Sequence, residues 1–304
     1  MRRSKAGAHE EGFALLLVLI GLAVIALVVA AVVDGARRYA NEAETDVALV
    51  QLRAAVDGAD ATAERDIAES GIVMAPVLNH AEIFMIGGIP VTVSARPESS
   101  KIDINAADVP RLRSLLLISG FSADRAARLA DQIADWRDAD SEKRPLGAET
   151  ADYLMAGRAY GTANRPFASV SELSLLLDGT PDLVTCLAPD VTVYTRRADV
   201  DLTHASDRVR AVVAPSASPD AGTGAPLQSV VAGRAVAAGG IYEFDAKAKG
   251  GMAAGTIYSL RSIVRVTGDS QRPVWLLSRQ SPIPSREDSD RACTRAAQAP
   301  LSSS

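Results

Sequence analysis

The densest group of side chains that could do chemistry is acidic and lies between residues 131 and 152, with seven carboxylates and three basic side chains. Asp135, Asp138 and Asp140 fall within six residues, at the predicted C-terminal end of a helix. Because the helix dipole is already negative at that end, clustered carboxylates there favour the binding of a cation. Oxygen ligands from Asp and Glu suit Ca²⁺, and Glu149 could supply a further one. The spacing therefore predicts a calcium site.

Asn164 could add another oxygen to such a metal site. Two other interpretations of the acidic stretch stay open. A solvated acidic turn needs no ligand, and the spacing lacks the Gly and Glu of an EF-hand loop. Paired carboxylates also serve in acid–base catalysis, but the neighbouring sequence supplies no nucleophile. His9, His80 and His204 are too scattered for a metal site, and the sequence holds no Gly-rich phosphate loop. We therefore expect a protein that is not an enzyme.

The N-terminal part of the chain holds an apolar run of 21 residues without a charge, from Phe13 to Val33. At about 1.5 Å per residue this run spans roughly 30 Å, which is the thickness of a bilayer core. Arg2, Arg3 and Lys5 precede it and favour a cytoplasmic N-terminus. We therefore expect a transmembrane helix, with the bulk of the chain outside the cytoplasm.

The residues at the start of this run distinguish three kinds of targeting segment. A cleaved secretory signal has a shorter apolar run and a small-residue cleavage site, whereas a plain anchor needs only the apolar run. A short basic leader followed by Gly12, Phe13 and a continuous apolar helix is typical of type IV prepilin-like signals. In that pattern a membrane peptidase cuts after Gly12 on the cytoplasmic side and leaves the apolar helix attached.

The rest of the chain predicts an α+β domain with an all-α insertion. Apolar residues three to four apart, without a proline, extend the membrane helix into an amphipathic stem. β-Branched segments on both sides of a helical block predict two parts of one sheet, and a low-complexity stretch over 214–227 predicts a loop. The predicted parts are a leader (1–12), a transmembrane helix (13–33), a stem helix (34–70), a β domain (71–104 and 191–282), a helical insertion (105–190) and a flexible tail (283–304).

Composition argues against a protein built around nucleic acid, because the net charge is −5 and the isoelectric point is about 5.4. The segment from Ile104 through the turn at Gly120 nevertheless resembles a helix-hairpin-helix unit. Such hairpins present backbone N–H groups to DNA phosphates. A membrane-anchored DNA-binding protein of an uptake system, with Arg125 and Arg128 as phosphate contacts, is therefore the alternative function.

The chain has two cysteines, Cys186 and Cys293. In an oxidising compartment they could form a disulfide. No sequence rule brings them together, so two separate thiols fit the sequence equally well.

Five segments together resemble the general secretion pathway protein K family, which comprises minor pseudopilins of type II secretion systems. These segments are KIDINA (Lys101–Ala106), ADWRDAD (Ala134–Asp140), GAETADY (Gly147–Tyr153), NRPFASVSEL (Asn164–Leu173) and VDLTHA (Val200–Ala205). Their order is specific, and with the prepilin-like signal the resemblance covers most of the chain. Asp103 and Asp201 stand where the family pattern has asparagine, which indicates a divergent system.

This resemblance implies a pilin-like fold with a long N-terminal transmembrane helix, an antiparallel sheet and a large helix-hairpin-helix or SAM-like insertion. It implies a subunit that caps the pseudopilus tip and acts in protein export across the outer membrane. The expected partners are I-type and J-type minor pseudopilins, an H-type one in addition, and the prepilin peptidase, with no nucleic acid. The expected location is the bacterial inner membrane, with a single span, a methylated Phe13 and the bulk of the chain in the periplasm.

The resemblance also implies residue roles. Calcium ligands are expected at Asp135, Asp138, Asp140 and Glu149. Most pilin-like proteins carry a Glu at the fifth position of the mature chain, which meets the N-terminal amine of a neighbouring subunit. Here that position is Leu17. The absence of the Glu is similar to protein K and implies a subunit that need not dock beneath another.

Overall fold

The computed structural model describes residues 8–70, 76–78, 80–213, 239–250 and 257–301. The predicted loop over 214–227 lies outside the described residues, as do residues 1–7 of the predicted leader. The described helices are α1 (Ala8–Ser70), α2 (Val109–Ile118), α3 (Ala123–Arg137), α4 (Thr150–Met155), α5 (Pro181–Leu187), α6 (Asp207–Val213) and α7 (Arg286–Gln298). The described strands are β1 (Glu82–Ile86), β2 (Ile89–Pro97), β3 (Ile102–Asp103), β4 (Val191–Thr192), β5 (Ile241–Lys249), β6 (Ile257–Val266) and β7 (Val274–Gln280).

Helix α1 runs without interruption through the predicted transmembrane helix and the predicted stem. No proline breaks it, and its glycines lie singly among good helix formers. Within the described part of the chain, it is the one helix whose length and composition would allow it to cross a membrane. The backbone of Gly12 and Phe13 lies inside it.

The main sheet has five strands in the order β1-β2-β5-β6-β7. The pairs β1–β2, β2–β5 and β6–β7 are antiparallel. Residues at helical spacing in the second half of α1 are buried, and Asp60 on that helix hydrogen-bonds Ser262 on β6. These buried α1 residues are Val56, Ala59, Ala63 and Ile67. The second half of α1 therefore packs against one face of the sheet.

The helical insertion lies between β3 and β4 along the chain. These two short strands pair in parallel through Ile102↔Val191 and Asp103↔Thr192, so the two ends of the insertion meet. Helices α2 and α3 begin at side-chain caps, with Asp108 accepting from the N–H of Arg111 and Ser122 from that of Arg125. Together with the sheet and α1, this arrangement confirms the predicted pilin-like α+β fold with an all-α insertion.

A buried cluster of ions lies where the chain leaves the sheet for the insertion. The side chain of Lys101 is 2% exposed, and its Nζ lies 2.6 Å from Glu98 Oε1 and 2.6 Å from Glu243 Oε2. Arg96 and Arg261 also reach Glu243, at 2.9 and 3.2 Å. Burial opposes the ionisation of Glu243, but Lys101 and the two arginines outweigh that effect and lower its pKa. The cluster joins β2, β5 and β6 to the start of the insertion.

The flexible tail predicted over 283–304 is wrong for its central part, because residues 286–298 form α7. A reciprocal cap between Ser285 and Asp288 starts this helix. Ala292, Cys293 and Ala296 are buried in the core of the insertion. The buried face of α7 is narrow and made of small residues, so the sequence of this segment resembles a polar tail. The structure joins Cys293 to Cys186 on α5 by a disulfide.

A buried acidic pair, Asp60 and Glu64 on α1, links the stem to the sheet. Ser262 Oγ lies 2.9 Å from Asp60 Oδ1 and 2.8 Å from Glu64 Oε1, and one hydroxyl proton can serve only one of the two carboxylates. Arg279 on β7 lies 3.0 Å from Asp57 and 3.6 Å from Asp60. Asp60 is 2% exposed and lies well beyond the apolar run of α1. Burial, reinforced by the charge of Glu64, raises the pKa of Asp60 to about 7.

This raised pKa predicts that the protein loses stability as the pH rises from about 4 to 7. In that window the folded state holds a proton on Asp60 that the unfolded state has released, so the free energy of unfolding falls. We expect Asp60→Asn to reduce this dependence, part of which remains because burial also raises the pKa of Glu64, and to stabilise the protein at pH 8 by about 2–4 kcal/mol, with little effect at pH 4. Denaturant unfolding of the full chain in detergent at each pH measures the difference.

Asp57→Asn is the matched control. It removes the same charge one helical turn from Asp60, but from a side chain that is 38% exposed. It should keep the wild-type pH dependence. An Asp60→Asn protein whose stability falls between pH 4 and 7 as steeply as that of the wild type would contradict the assignment.

Candidate metal site

The acidic stretch folds around the end of α3 and the start of α4. Asp138 is the C-terminal capping residue of α3, and Glu149 is the N-terminal capping residue of α4. The loop between them carries Asp140. Carboxylate oxygens of Asp138, Asp140 and Glu149 lie within 4.8 Å of one another. The chain therefore brings together three of the four predicted ligands.

Three oxygen atoms, two of them in this group of carboxylates and one on Asn164, are buried without a hydrogen-bond partner among the described residues. They are Asp138 Oδ1, Glu149 Oε1 and Asn164 Oδ1. The residue Glu149 is only 7% exposed, while its other oxygen accepts from Thr162 Oγ1 at 3.0 Å. Buried hydrogen-bond acceptors without a donor are costly, and such oxygens are suitable ligands for Ca²⁺. The donor set thus fits a hard cation.

Asp135 occupies a different position from the other three predicted ligands. It is 0% exposed, and its two oxygens accept from Arg144, from Nη1 at 2.8 Å and from the backbone N–H at 3.2 Å. A β-carbon at Gly147 would lie 1.8 Å from Asp135 Oδ2, so the loop backbone rests directly on this carboxylate. Sequence spacing could not distinguish this structural role from that of a ligand.

The electrostatics of the site follow from burial and like charge. Burial raises the pKa of Glu149, the hydrogen bond from Thr162 opposes the shift, and the charge of Asp135 adds to it. Burial also raises the pKa of Asp135, which the hydrogen bonds from Arg144 oppose. A cation bound among these groups would favour their ionised forms.

Residues distant in the sequence hold the loop that carries Asn164. The side chain of Asn105 donates to the carbonyl of Phe167 at 3.0 Å and accepts from its N–H at 2.7 Å. Phe167 stacks on Trp136 of α3, with ring centroids 6.1 Å apart. Asn105 therefore fixes the NRPF segment against α3, a role that neither composition nor spacing reveals.

The hairpin segment does not present Arg125 as the DNA alternative requires, whereas Arg128 is half-buried. Arg125 is buried and donates to the carbonyls of Ala299 and Asp178, at 2.6 and 3.2 Å. It holds α3 to the chain that follows α7. Nothing in the comparisons below supports DNA binding.

Comparison with known proteins bears on the same part of the chain. The family model described as Type II secretion system (T2SS), protein K matches residues 92–196. A Type II secretion system protein K of Pseudomonas aeruginosa is 27% identical over 227 residues, covering 67% of this chain and 68% of the relative. Another of that name, of Klebsiella pneumoniae, is 28% identical over 208 residues, covering 60% and 62%.

A solved structure resembles the fold. It is a chain of the GspK-GspI-GspJ complex from the enterotoxigenic Escherichia coli type 2 secretion system, with a TM-score of 0.56 and 17% identity. The alignment covers 80% of this chain and 98% of that chain.

The long apolar helix, the antiparallel sheet and the helical insertion define the class of protein by its fold, which is pilin-like. Residues 92–196 match the model of the type II secretion system protein K family. The resemblance that the sequence motifs indicated is thereby confirmed.

Proposed function

We propose that this chain is the minor pseudopilin that caps the pseudopilus tip of a type II secretion system and acts in protein export across the outer membrane. The observation that carries the proposal is the helical insertion between β3 and β4, which is the region that the protein K family model matches. The role is structural, and the chain acts by assembling with other subunits. The solved structure that resembles it is a complex with GspI and GspJ, which supports I-type and J-type pseudopilins as partners.

Two features of the chain support a place at the tip. The insertion and α7 form one helical core that a minimal pilin-like chain lacks, and such added bulk would obstruct a further subunit. Leu17 provides no carboxylate for the N-terminal amine of a neighbouring subunit, so this chain needs no partner above it in the membrane.

Processing and location follow from the N-terminal part. We propose cleavage by the prepilin peptidase after Gly12, methylation of Phe13, and a single span of the inner membrane with the remainder in the periplasm. The uncharged run that follows Phe13 and the basic residues before it support this orientation.

Cleavage predicts a mature chain that starts at Phe13 in membranes that contain a prepilin peptidase. Mass spectrometry of the N-terminal peptide, from strains with and without the peptidase, measures it. Loss of the peptidase should leave the leader in place. An intact Met1 in both strains, or a start beyond Val33, would show that the N-terminal segment is a plain anchor or a secretory signal.

Tip capping predicts a defined stoichiometry. The tagged full chain, purified from detergent-solubilised membranes, should retain I-type and J-type minor pseudopilins in equal amounts and little of the major pseudopilin. A tagged single-span protein with an unrelated periplasmic domain is the control. Major pseudopilin in excess would indicate a place along the shaft, and salt-dependent binding of duplex DNA by the purified chain would favour the DNA-uptake alternative.

We also propose that the insertion binds Ca²⁺ through Asp138, Asp140 and Glu149, with Asn164 as an added oxygen. Bound calcium would supply positive charge that links the end of α3 to the start of α4. The support is the convergence of three carboxylates and the buried oxygens without partners. Asp135 then stabilises the loop through Arg144 instead of binding the ion.

Calcium binding predicts a rise in the melting temperature of the full chain in detergent. At a calcium concentration one hundred times the Kd, the stabilisation is about 2.7 kcal/mol, or roughly 5–10 °C. We expect EDTA to reverse it and Glu149→Gln to abolish it, because this variant removes a buried ligand charge.

Glu142→Gln is the matched control, since Glu142 is an exposed acid of the same loop and lies outside the group of three. It should keep the full calcium response. An equal loss of response in both variants would show that general negative charge, and not this site, attracts the ion.

A further inference from the structure

The acidic site contains a cation that belongs to the chain itself. Arg144 Nη1 lies 2.8 Å from Asp135 Oδ1 and 2.6 Å from Asp138 Oδ2. The backbone N–H of Arg144 also donates to Asp135 Oδ2 at 3.2 Å. The two carboxylates raise the pKa of Arg144 above its ordinary value, so its charge is permanent. One guanidinium thus holds two carboxylates that approach each other at the end of α3.

The two oxygens of Asp138 lie in different surroundings. Oδ2 contacts Arg144, whereas Oδ1 is buried and has no hydrogen-bond partner in the described part of the chain. Glu149 Oε1 and Asn164 Oδ1 share this unpaired state. Asp138 is therefore the residue at which the internal cation and an external one would meet.

We propose that Arg144 is the resident counter-cation of the acidic site. It holds Asp135 and Asp138 in place when no divalent ion is bound, and it shares the neutralisation of Asp138 with a bound ion. This inference deepens the proposed calcium function and rests on it for the second part only. The first part concerns the ion-free protein.

Charge counting gives the direction of the effects. Asp135, Asp138, Asp140 and Glu149 carry four negative charges, and Arg144 reduces their sum from −4 to −3. Removing the guanidinium leaves Asp135 buried without its counter-ion, which is strongly destabilising when no metal compensates. The same removal leaves a more negative site, and ligand charge is one factor that sets calcium affinity.

The experiment uses the full chain in detergent in a Trp275→Phe background. This change leaves Trp136, the neighbour of Asp135 in the sequence, as the sole tryptophan. Its fluorescence reports melting in EDTA and titration with Ca²⁺. The variants are Arg144→Gln and Arg144→Lys. Lys143→Gln is the matched control, because Lys143 is an adjacent cation that pairs with Asp152 at 2.7 Å.

In EDTA we expect Arg144→Gln to melt about 8 °C below the background protein and Lys143→Gln to melt within about 2 °C of it. With Ca²⁺ we expect Arg144→Gln to bind roughly tenfold more tightly and to recover most of its lost melting temperature. Arg144→Lys should fall between the two, since an ammonium keeps the charge but not the fork of donors.

Equal melting of Arg144→Gln and Lys143→Gln in EDTA would overturn the proposal. Where the background protein binds Ca²⁺, an Arg144→Gln protein that stays unfolded at saturating Ca²⁺ would overturn it as well, because a divalent ion should then replace the guanidinium. A background protein that binds no Ca²⁺ would overturn the calcium function alone. The melting difference in EDTA would still decide the role of Arg144.

Discussion

The fold depends on a lysine that is buried between two carboxylates. Lys101 lies at the point where the chain has left β2 and has not yet entered β3, and it reaches Glu98 and Glu243 at 2.6 Å each. Ions removed from water are costly unless each finds well-placed partners, and breaking one partner of such a group is more costly still. Glu243 belongs to the sheet, while Lys101 leads into the insertion. The buried ion pair between Lys101 and Glu243 therefore fixes the start of the helical part to the sheet.

Polar side chains in other sequence motifs are also paired inside the protein. Asn105 replaces backbone partners for Phe167, Asp103 accepts from Thr195 and the N–H of Arg196, and Asp135 accepts from Arg144. Each polar side chain satisfies a loop that would otherwise bury unpaired backbone or charge. Asp138 and Glu149 differ because each has a buried oxygen without a donor in the described chain and both converge with Asp140. That convergence separates a candidate binding site from the polar framework around it.

Much of this arrangement could be predicted from local sequence. The uncharged run after Gly12 predicts the long helix, and the spacing of Leu112, Leu115 and Leu116 predicts the buried face of α2. The cluster around Asp138 shows in the sequence because its members are close along the chain. Contacts between distant residues do not show in this way. Arg144 and Asp135 look like any loop cation and ligand until the fold brings them together, and α7 buries only small residues that resemble a polar tail.

The disulfide between Cys186 and Cys293 closes a covalent ring that contains β5, β6 and β7. Helix α1, the first three strands and helices α2, α3 and α4 lie outside that ring. A pull on the N-terminal helix would put the chain under mechanical load, and load can lengthen only chain that is free to extend. Here the second half of the sheet cannot be pulled out as a thread, because its two covalent ends are fixed to each other. Under such a pull the C-terminal strands would thus stay closed in one ring with the end of α5 and the middle of α7, whereas α2, α3 and α4 lie outside the ring and gain no such protection.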